Sequence, residues 1–208
     1  QLPAEAALTQ VLQAAGVDRD THVVVVHAGT DHTDFGAAAR VYWTLKVGGL
    51  TRLSILDGGT KAWKGAGGAL ETTVPQVAPS QFAYRYDQEQ IVTSEELAAA
   101  LQSSATPLLV DARPPRFFSG EARVDAAARY GTLPGAKSFD NAQFFPKEGT
   151  TLKPASELKA LVAQAGAASA PAVSFCNTGH WAATNWFVMS EIAGNKAVKL
   201  YPASVVEW

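Results

Sequence analysis

The sequence predicts an α/β fold, a mainly parallel sheet flanked by helices, and three observations predict it. Short apolar runs that read as buried strands, at residues 23–26, 108–110 and 172–175, alternate with stretches that read as helices. One segment repeats: residues 37–63 align without a gap on residues 182–208. Both copies share one order: helix, strand, loop, helix, strand, turn, and a further helix start closing on Trp63 or Trp208.

Taken in order, a first helix is expected over residues 5–15 and a strand over 23–26. A polar loop follows, His27-Ala28-Gly29-Thr30-Asp31-His32-Thr33-Asp34, before the first copy of the repeat. In that repeat Ala37-Ala38 matches Ala182-Ala183, Gly49 matches Gly194, and Trp63 matches Trp208. Tyr42/Phe187, Val47/Ile192, Leu53/Val198 and Ile55/Leu200 preserve apolar character. Residues 70–92 carry Pro75, Pro79 and an excess of Thr and Gln with little periodicity, which places a linker at 71–91. Thr93-Ser94-Glu95-Glu96 opens a helix, Leu108-Leu109-Val110 is a strand ending at Asp111, and residues 156–165 form a helix before the strand at 172–175.

The stretch 92–155 has no counterpart before the first copy. Residues 1–70 therefore read as the C-terminal part of one unit and 92–208 as a second unit. If the units were once equal, roughly 65 residues are missing. Gln1 then reads as a cleavage or cloning boundary. A half sheet leaves apolar faces and edges uncovered, so the missing N-terminal fragment is expected to stay bound as a separate chain.

Composition narrows the function classes. The 208 residues are 47% hydrophobic and 17% charged, enough for one or two globular domains. A formal net charge of −2 gives no footprint for a nucleic-acid partner. The longest apolar runs are a few residues, too short to span a membrane. A single cysteine excludes an internal disulfide framework and a Cys-rich zinc site.

That cysteine, Cys176, follows the apolar run Ala172-Val173-Ser174-Phe175. It opens the loop Asn177-Thr178-Gly179-His180-Trp181, which feeds a helix-like run from Ala182 to Met189. A strand, a tight loop and a helix start direct unpaired N–H groups and the helix dipole at one sulfur, and both favour negative charge. A thiol so placed is expected to ionise readily and act as a nucleophile. The competing reading is a small buried hydrophobe at a strand end. The strand–Cys–loop–helix pattern alone leaves both open.

These residues resemble a tandem-domain rhodanese-type sulfurtransferase, of the thiosulfate and 3-mercaptopyruvate sulfurtransferase family. In the second half the resemblance rests on Leu109-Val110-Asp111-Ala112-Arg113, Gly131-Thr132-Leu133-Pro134-Gly135-Ala136, the loop opened by Cys176, and Glu207-Trp208. In the first half it rests on Ala39-Arg40-Val41-Tyr42-Trp43 and the run from Ser54 to Trp63. It implies two rhodanese-like domains, the first degenerate and incomplete in this chain, the second catalytic. The implied chemistry is double displacement: the Cys176 thiolate takes sulfane sulfur from a small anionic donor, becomes a persulfide, and yields the sulfur to a thiol or cyanide acceptor. No cofactor and no metal are implied. Bacterial members suggest a periplasmic address.

The first half has no thiol where the second has its loop, so it cannot carry sulfur. Its histidines and aspartates match no common metal spacing and read as a polar surface loop. By the resemblance Arg116 meets the anionic end of the donor, its planar fork suiting sulfonate or carboxylate; a solvated surface arginine is the other reading. Arg123 and Arg129 are further options, while Asp111 and Arg113 brace loops rather than catalyse. Backbone N–H groups of residues 177–181 are expected to cradle the terminal sulfur, with Gly179 free to take a positive φ.

The loop departs from both familiar patterns. Thiosulfate-specific members carry cations there, whereas here only His180 can be charged. Mercaptopyruvate-specific members resemble Cys-Gly-Ser-Gly-Val, with Thr178 standing here where that Ser would be. Trp181 either walls the pocket or packs in the core. Tyr201-Pro202-Ala203-Ser204 replaces the Asp-Gly seen at Asp57-Gly58, and Pro fixes φ there. Thiosulfate is the first donor to test, 3-mercaptopyruvate the alternative, and a non-catalytic sulfur carrier or binding module the competing class. A cysteine phosphatase would need an arginine closing its loop, and position 182 is Ala.

Overall fold

The computed structural model describes residues 2–103 and 106–208. The first half contains α1 (Glu5–Ala14), β1 (Val23–Val25), α2 (His32–Val47), β2 (Leu53–Ile55) and α3 (Gly59–Gly65). The second contains α4 (Ser94–Leu101), β3 (Leu108–Asp111), α5 (Pro115–Phe118), β4 (Lys137–Ser138), α6 (Ala155–Gln164), β5 (Ala172–Phe175), α7 (His180–Phe187), β6 (Val198–Leu200) and α8 (Ser204–Glu207). The expected α/β class holds, and the strand expected at 172–175 is β5. Thr93 opens α4 with a reciprocal cap: its hydroxyl accepts from the Glu96 N–H while the Glu96 carboxylate accepts from the Thr93 N–H.

All strand pairs are parallel. The second half forms a four-stranded sheet in the order β4-β3-β5-β6, and β1 and β2 form a separate pair. Every residue of β5 is buried, as expected of a strand covered on both faces. Leu109, Val173 and Phe175 face Leu97 of α4 on one side. Val110, Ala172 and Cys176 join Val162 of α6 and Ala183 and Trp186 of α7 on the other. The sulfur thus sits at the C-terminal end of a buried strand, on the α7 side.

One hydrophobic core runs across both halves. Phe35, Ala39, Tyr42 and Trp43 of α2 share it with Trp186 and Val188. Helix α2 lies along α7, and Gly36 permits the approach, since a Cβ there would stand 3.3 Å from the His180 carbonyl. Tyr42 meets Phe187 edge to face at 5.0 Å. Beyond α7 the chain makes a π turn, Val188–Ile192, which the sequence did not announce. Its Glu191 accepts from the Tyr42 hydroxyl at 3.0 Å, Lys46 at 3.0 Å and Lys196 at 2.8 Å. Burial alone would raise the Glu191 pKa, but the hydrogen bonds from Lys196, Ser190 and Lys46 outweigh it and hold the carboxyl at about 2.

The connection differs from the aperiodic linker expected at 71–91. Ser80, Phe82 and Tyr84 alternate inward and are buried, a period-two pattern with no paired strand beside it. Phe82 and Tyr84 pack on Leu12, Val17, Leu45 and Leu50. The Tyr84 hydroxyl donates to the Thr44 carbonyl at 2.6 Å and Ser80 to the Val17 carbonyl at 2.7 Å. Three inward residues are too short a run to outweigh Pro75 and Pro79 in a reading of the sequence.

Candidate active site

Cys176 leaves β5 with its backbone fixed by the first turn of α8. Its N–H donates to the Ser204 hydroxyl at 3.1 Å, and its carbonyl accepts from the Val205 N–H at 3.1 Å. The Asn177 carbonyl accepts from the Val206 N–H at 3.2 Å. Ser204 donates onward to the Tyr201 carbonyl at 3.0 Å and holds φ +58°, the described non-glycine residue with a left-handed backbone. That conformation costs on the order of 1 kcal/mol, which the two hydrogen bonds of a buried hydroxyl offset. Sequence reasoning noted the altered turn but missed Ser204 as the anchor of the loop.

The loop then folds back on the sulfur. Gly179 takes φ +92° as the N-cap of α7, and of the N–H groups of residues 177–181 it is Gly179's that reaches Sγ, at 3.0 Å. A Cβ on Gly179 would collide with the Arg40 guanidinium and stand 2.6 Å from the Pro202 carbonyl oxygen. Cys176 is 1% exposed.

The other expected residues fall at three depths. Asn177 is buried, its Oδ1 accepting from Arg113 at 3.4 Å. Arg113 in turn clamps Asp111, at 2.9 Å through Nε and 2.7 Å through Nη2, and donates to the Gly131 carbonyl at 2.8 Å. Thr132 completes this buried brace by donating to Asp111 at 2.7 Å. Thr178 and His180 are exposed and approach each other at 3.3 Å between Oγ1 and Nδ1. Partial desolvation and the nearby Arg40 charge hold the His180 imidazole below its usual 6.5, so it is neutral at pH 7. Trp181 is half-buried and donates from its indole to the Thr33 hydroxyl at 3.0 Å, a contact with the first half.

Arg116 is exposed on α5 and hydrogen-bonds none of the loop residues; its guanidinium lies 5.2 Å from the Phe117 ring. The Phe117 ring stands 6.3 Å from Trp181, which places Arg116 at the rim of the site rather than against the sulfur. Arg123 is engaged by its own loop, donating to the Val124, Asp125 and Ala127 carbonyls. The cation on the loop is Arg40, from α2 of the first half, which the sequence analysis did not single out.

The first-half loop repeats this frame with different contents. The His27 carbonyl accepts from the Thr60 N–H at 2.8 Å and the Ala28 carbonyl from the Lys61 N–H at 3.0 Å. These are the counterparts of the bonds at Cys176 and Asn177, so His27 stands where the thiol stands. Around it the Asp34 carboxylate accepts from the Gly29 N–H at 2.6 Å, the Thr30 N–H at 3.1 Å and pairs with His27 Nδ1 at 3.0 Å. Burial works against that carboxylate, but His27 and the two N–H groups hold its pKa at about 2. Among the described residues no group of three or more His, Cys, Asp or Glu side chains converges as a metal site.

Comparison with known proteins shows the family of the chain. The family described as "Rhodanese-like domain" matches residues 93–208. SseB of Mycobacterium tuberculosis, provisionally named a thiosulfate sulfurtransferase, is 31% identical over 211 residues, covering 100% of this chain and 70% of that protein. A Pseudomonas aeruginosa protein provisionally named a 3-mercaptopyruvate sulfurtransferase is 33% identical over 213 residues, covering 100% of this chain and 71% of that one. Among solved structures, SseA from Escherichia coli, described with the "Rhodanese" fold of 3-mercaptopyruvate sulfotransferases, superposes with a TM-score of 0.79. It is 24% identical, with 98% of this chain and 74% of that chain covered.

Proposed function

This chain belongs to the rhodanese-like family and is a rhodanese-type sulfurtransferase, and we propose that it moves sulfane sulfur from thiosulfate through a persulfide on Cys176. The observation that carries the reading is the Gly179 N–H directed at Sγ from the N-cap of α7. A donor N–H and a helix start at one sulfur favour its anionic forms. The Cys176 thiolate attacks the outer sulfur of thiosulfate, the S–S bond breaks, and sulfite leaves with the electron pair. Cyanide or a thiolate then attacks the outer persulfide sulfur, carries it off as thiocyanate or a new persulfide, and returns the Cys176 thiolate.

The residues proposed around the donor are Asn177, Thr178, Gly179, His180 and Trp181, with Arg116 at the rim. Asn177 acts through its brace to Arg113, setting the loop. In domain terms, residues 1–70 end one rhodanese-like unit, 71–91 connect, and 92–208 form the catalytic unit. The family match at 93–208 supports the last of these.

3-Mercaptopyruvate is the second donor to weigh. The 33% identity to the Pseudomonas aeruginosa protein and a hydroxyl at Thr178 favour it. The test is intact mass after exposure to each donor, with digestion to locate the modification. A gain of about 32 Da on Cys176, one sulfur atom, is expected with the true donor, and cyanide should remove it. No gain with either donor would leave the carrier or binding reading standing.

A further inference from the structure

A cation without a counter-ion sits against the reactive loop, and it comes from the other half of the molecule. The Arg40 guanidinium stacks 5.0 Å from the Trp43 ring, stands 3.5 Å from the Pro202 carbonyl oxygen, and occupies the space beside Gly179 where a side chain would be. None of the ion pairs among the described residues includes it. Burial draws its pKa down. A guanidinium keeps its proton under such pressure.

The loop itself offers no competing charge. Asn177, Thr178 and Trp181 are neutral, and His180 is held neutral partly by Arg40. A partly buried charge without a partner is costly, and the cost falls when an anion arrives. The anion available here is the sulfur itself or the charged end of what it reacts with. A planar fork of donors fits the oxygens of a sulfonate or carboxylate.

We propose that Arg40 is the anion-recognising residue of the Cys176 site, supplied across the seam by the half that has no thiol. It selects donors that carry negative charge next to the transferred sulfur and orients that charge while Cys176 attacks. The inference rests on the sulfurtransferase reading for the identity of the donor but not for the presence of the charge, and the test separates the two.

Cys176, the sole thiol, is alkylated with iodoacetate, which is anionic, and with iodoacetamide, which is neutral and nearly the same size. The ratio of the two rates reads local charge and cancels changes in access. Arg40→Gln should lower that ratio about tenfold at low salt, while Arg40→Lys should retain most of it. In turnover, Arg40→Gln should raise KM for thiosulfate more than it lowers kcat. Should Arg40→Gln fail to fold, Arg40→Met keeps the stem on Trp43, and in the unmodified protein the ratio must fall toward that of free cysteine as ionic strength rises. A ratio unmoved by Arg40→Gln or Arg40→Met in folded protein overturns the inference, as does a native sulfur that neither reagent reaches. If the ratio falls but no donor ever adds sulfur, the role of Arg40 stands and the donor assignment fails.

Discussion

The two strand-to-helix loops share one backbone frame and differ in what fills it. After β1, the N–H groups of Gly29 and Thr30 close on the Asp34 carboxylate, which also holds His27. After β5, the N–H of Gly179 closes on a sulfur, and the adjoining space holds the tip of Arg40 and the Pro202 carbonyl oxygen. The first loop is longer and carries its own anion; the second is short and carries a thiol. In the first loop a built-in carboxylate fills the place that such backbone N–H groups offer to an anion. What distinguishes the second loop, on the role proposed for Arg40, is a site for a negative group that comes from outside.

The contrast can be broken or sharpened by mutation. The largest effect is expected from Cys176→Ser, which should lower sulfur transfer by about 10³-fold or more with the thermal midpoint nearly unchanged. Residual turnover near wild type would end the distinction between the loops. Asp34→Ala should do the opposite, sparing most of the turnover but leaving two N–H groups and His27 without their acceptor. That loss is about 2–3 kcal/mol, a fall in melting temperature of roughly 5–10 °C by calorimetry.

Glu191 tests the seam that brings the halves together. Its carboxyl titrates at about 2 in the folded protein against a usual 4.5. The depressed value means that its contribution is present above about pH 4.5 and drains away as pH falls toward 2. Asp34, also held at about 2, adds loss in the same window. Glu191→Gln should cost about 2 kcal/mol at neutral pH and flatten, without abolishing, the decline in urea-derived stability across that acid range. An unaltered acid profile would remove Glu191 from the seam. The smallest effect is expected from His180→Ala: turnover falls about threefold, far short of the ~100-fold of a full general acid–base group, and folding is little changed. Unchanged kinetics would take His180 out of the mechanism.

Much of this was legible from the residues. The apolar run 172–175 and the Thr93/Glu96 spacing are local signals, and the structure places β5 and the cap of α4 on them. Of the residue pairs aligned in the gap-free repeat, Leu53 and Ile55 pair with Val23 and Val25 of β1, and Val198 and Leu200 pair with Ala172 and Ser174 of β5. Arg40 was not legible, because its contact with Gly179 joins residues far apart in the chain and leaves no periodicity. Asp34 was read as part of a polar surface loop, since a carboxylate turned onto its own backbone looks the same in sequence as one turned to water. Ser204 was hidden for another reason, because a left-handed serine breaks the rule by which such positions are recognised.

The inward strap of Ser80, Phe82 and Tyr84 has a practical corollary for anyone grafting cargo onto this scaffold. Residues 70–76 are exposed, so an inserted loop or epitope there disturbs little packing, whereas the same insertion a few positions later would unplug an aromatic ring from its socket. The tether between the halves is thus open to water at one end and bolted at the other.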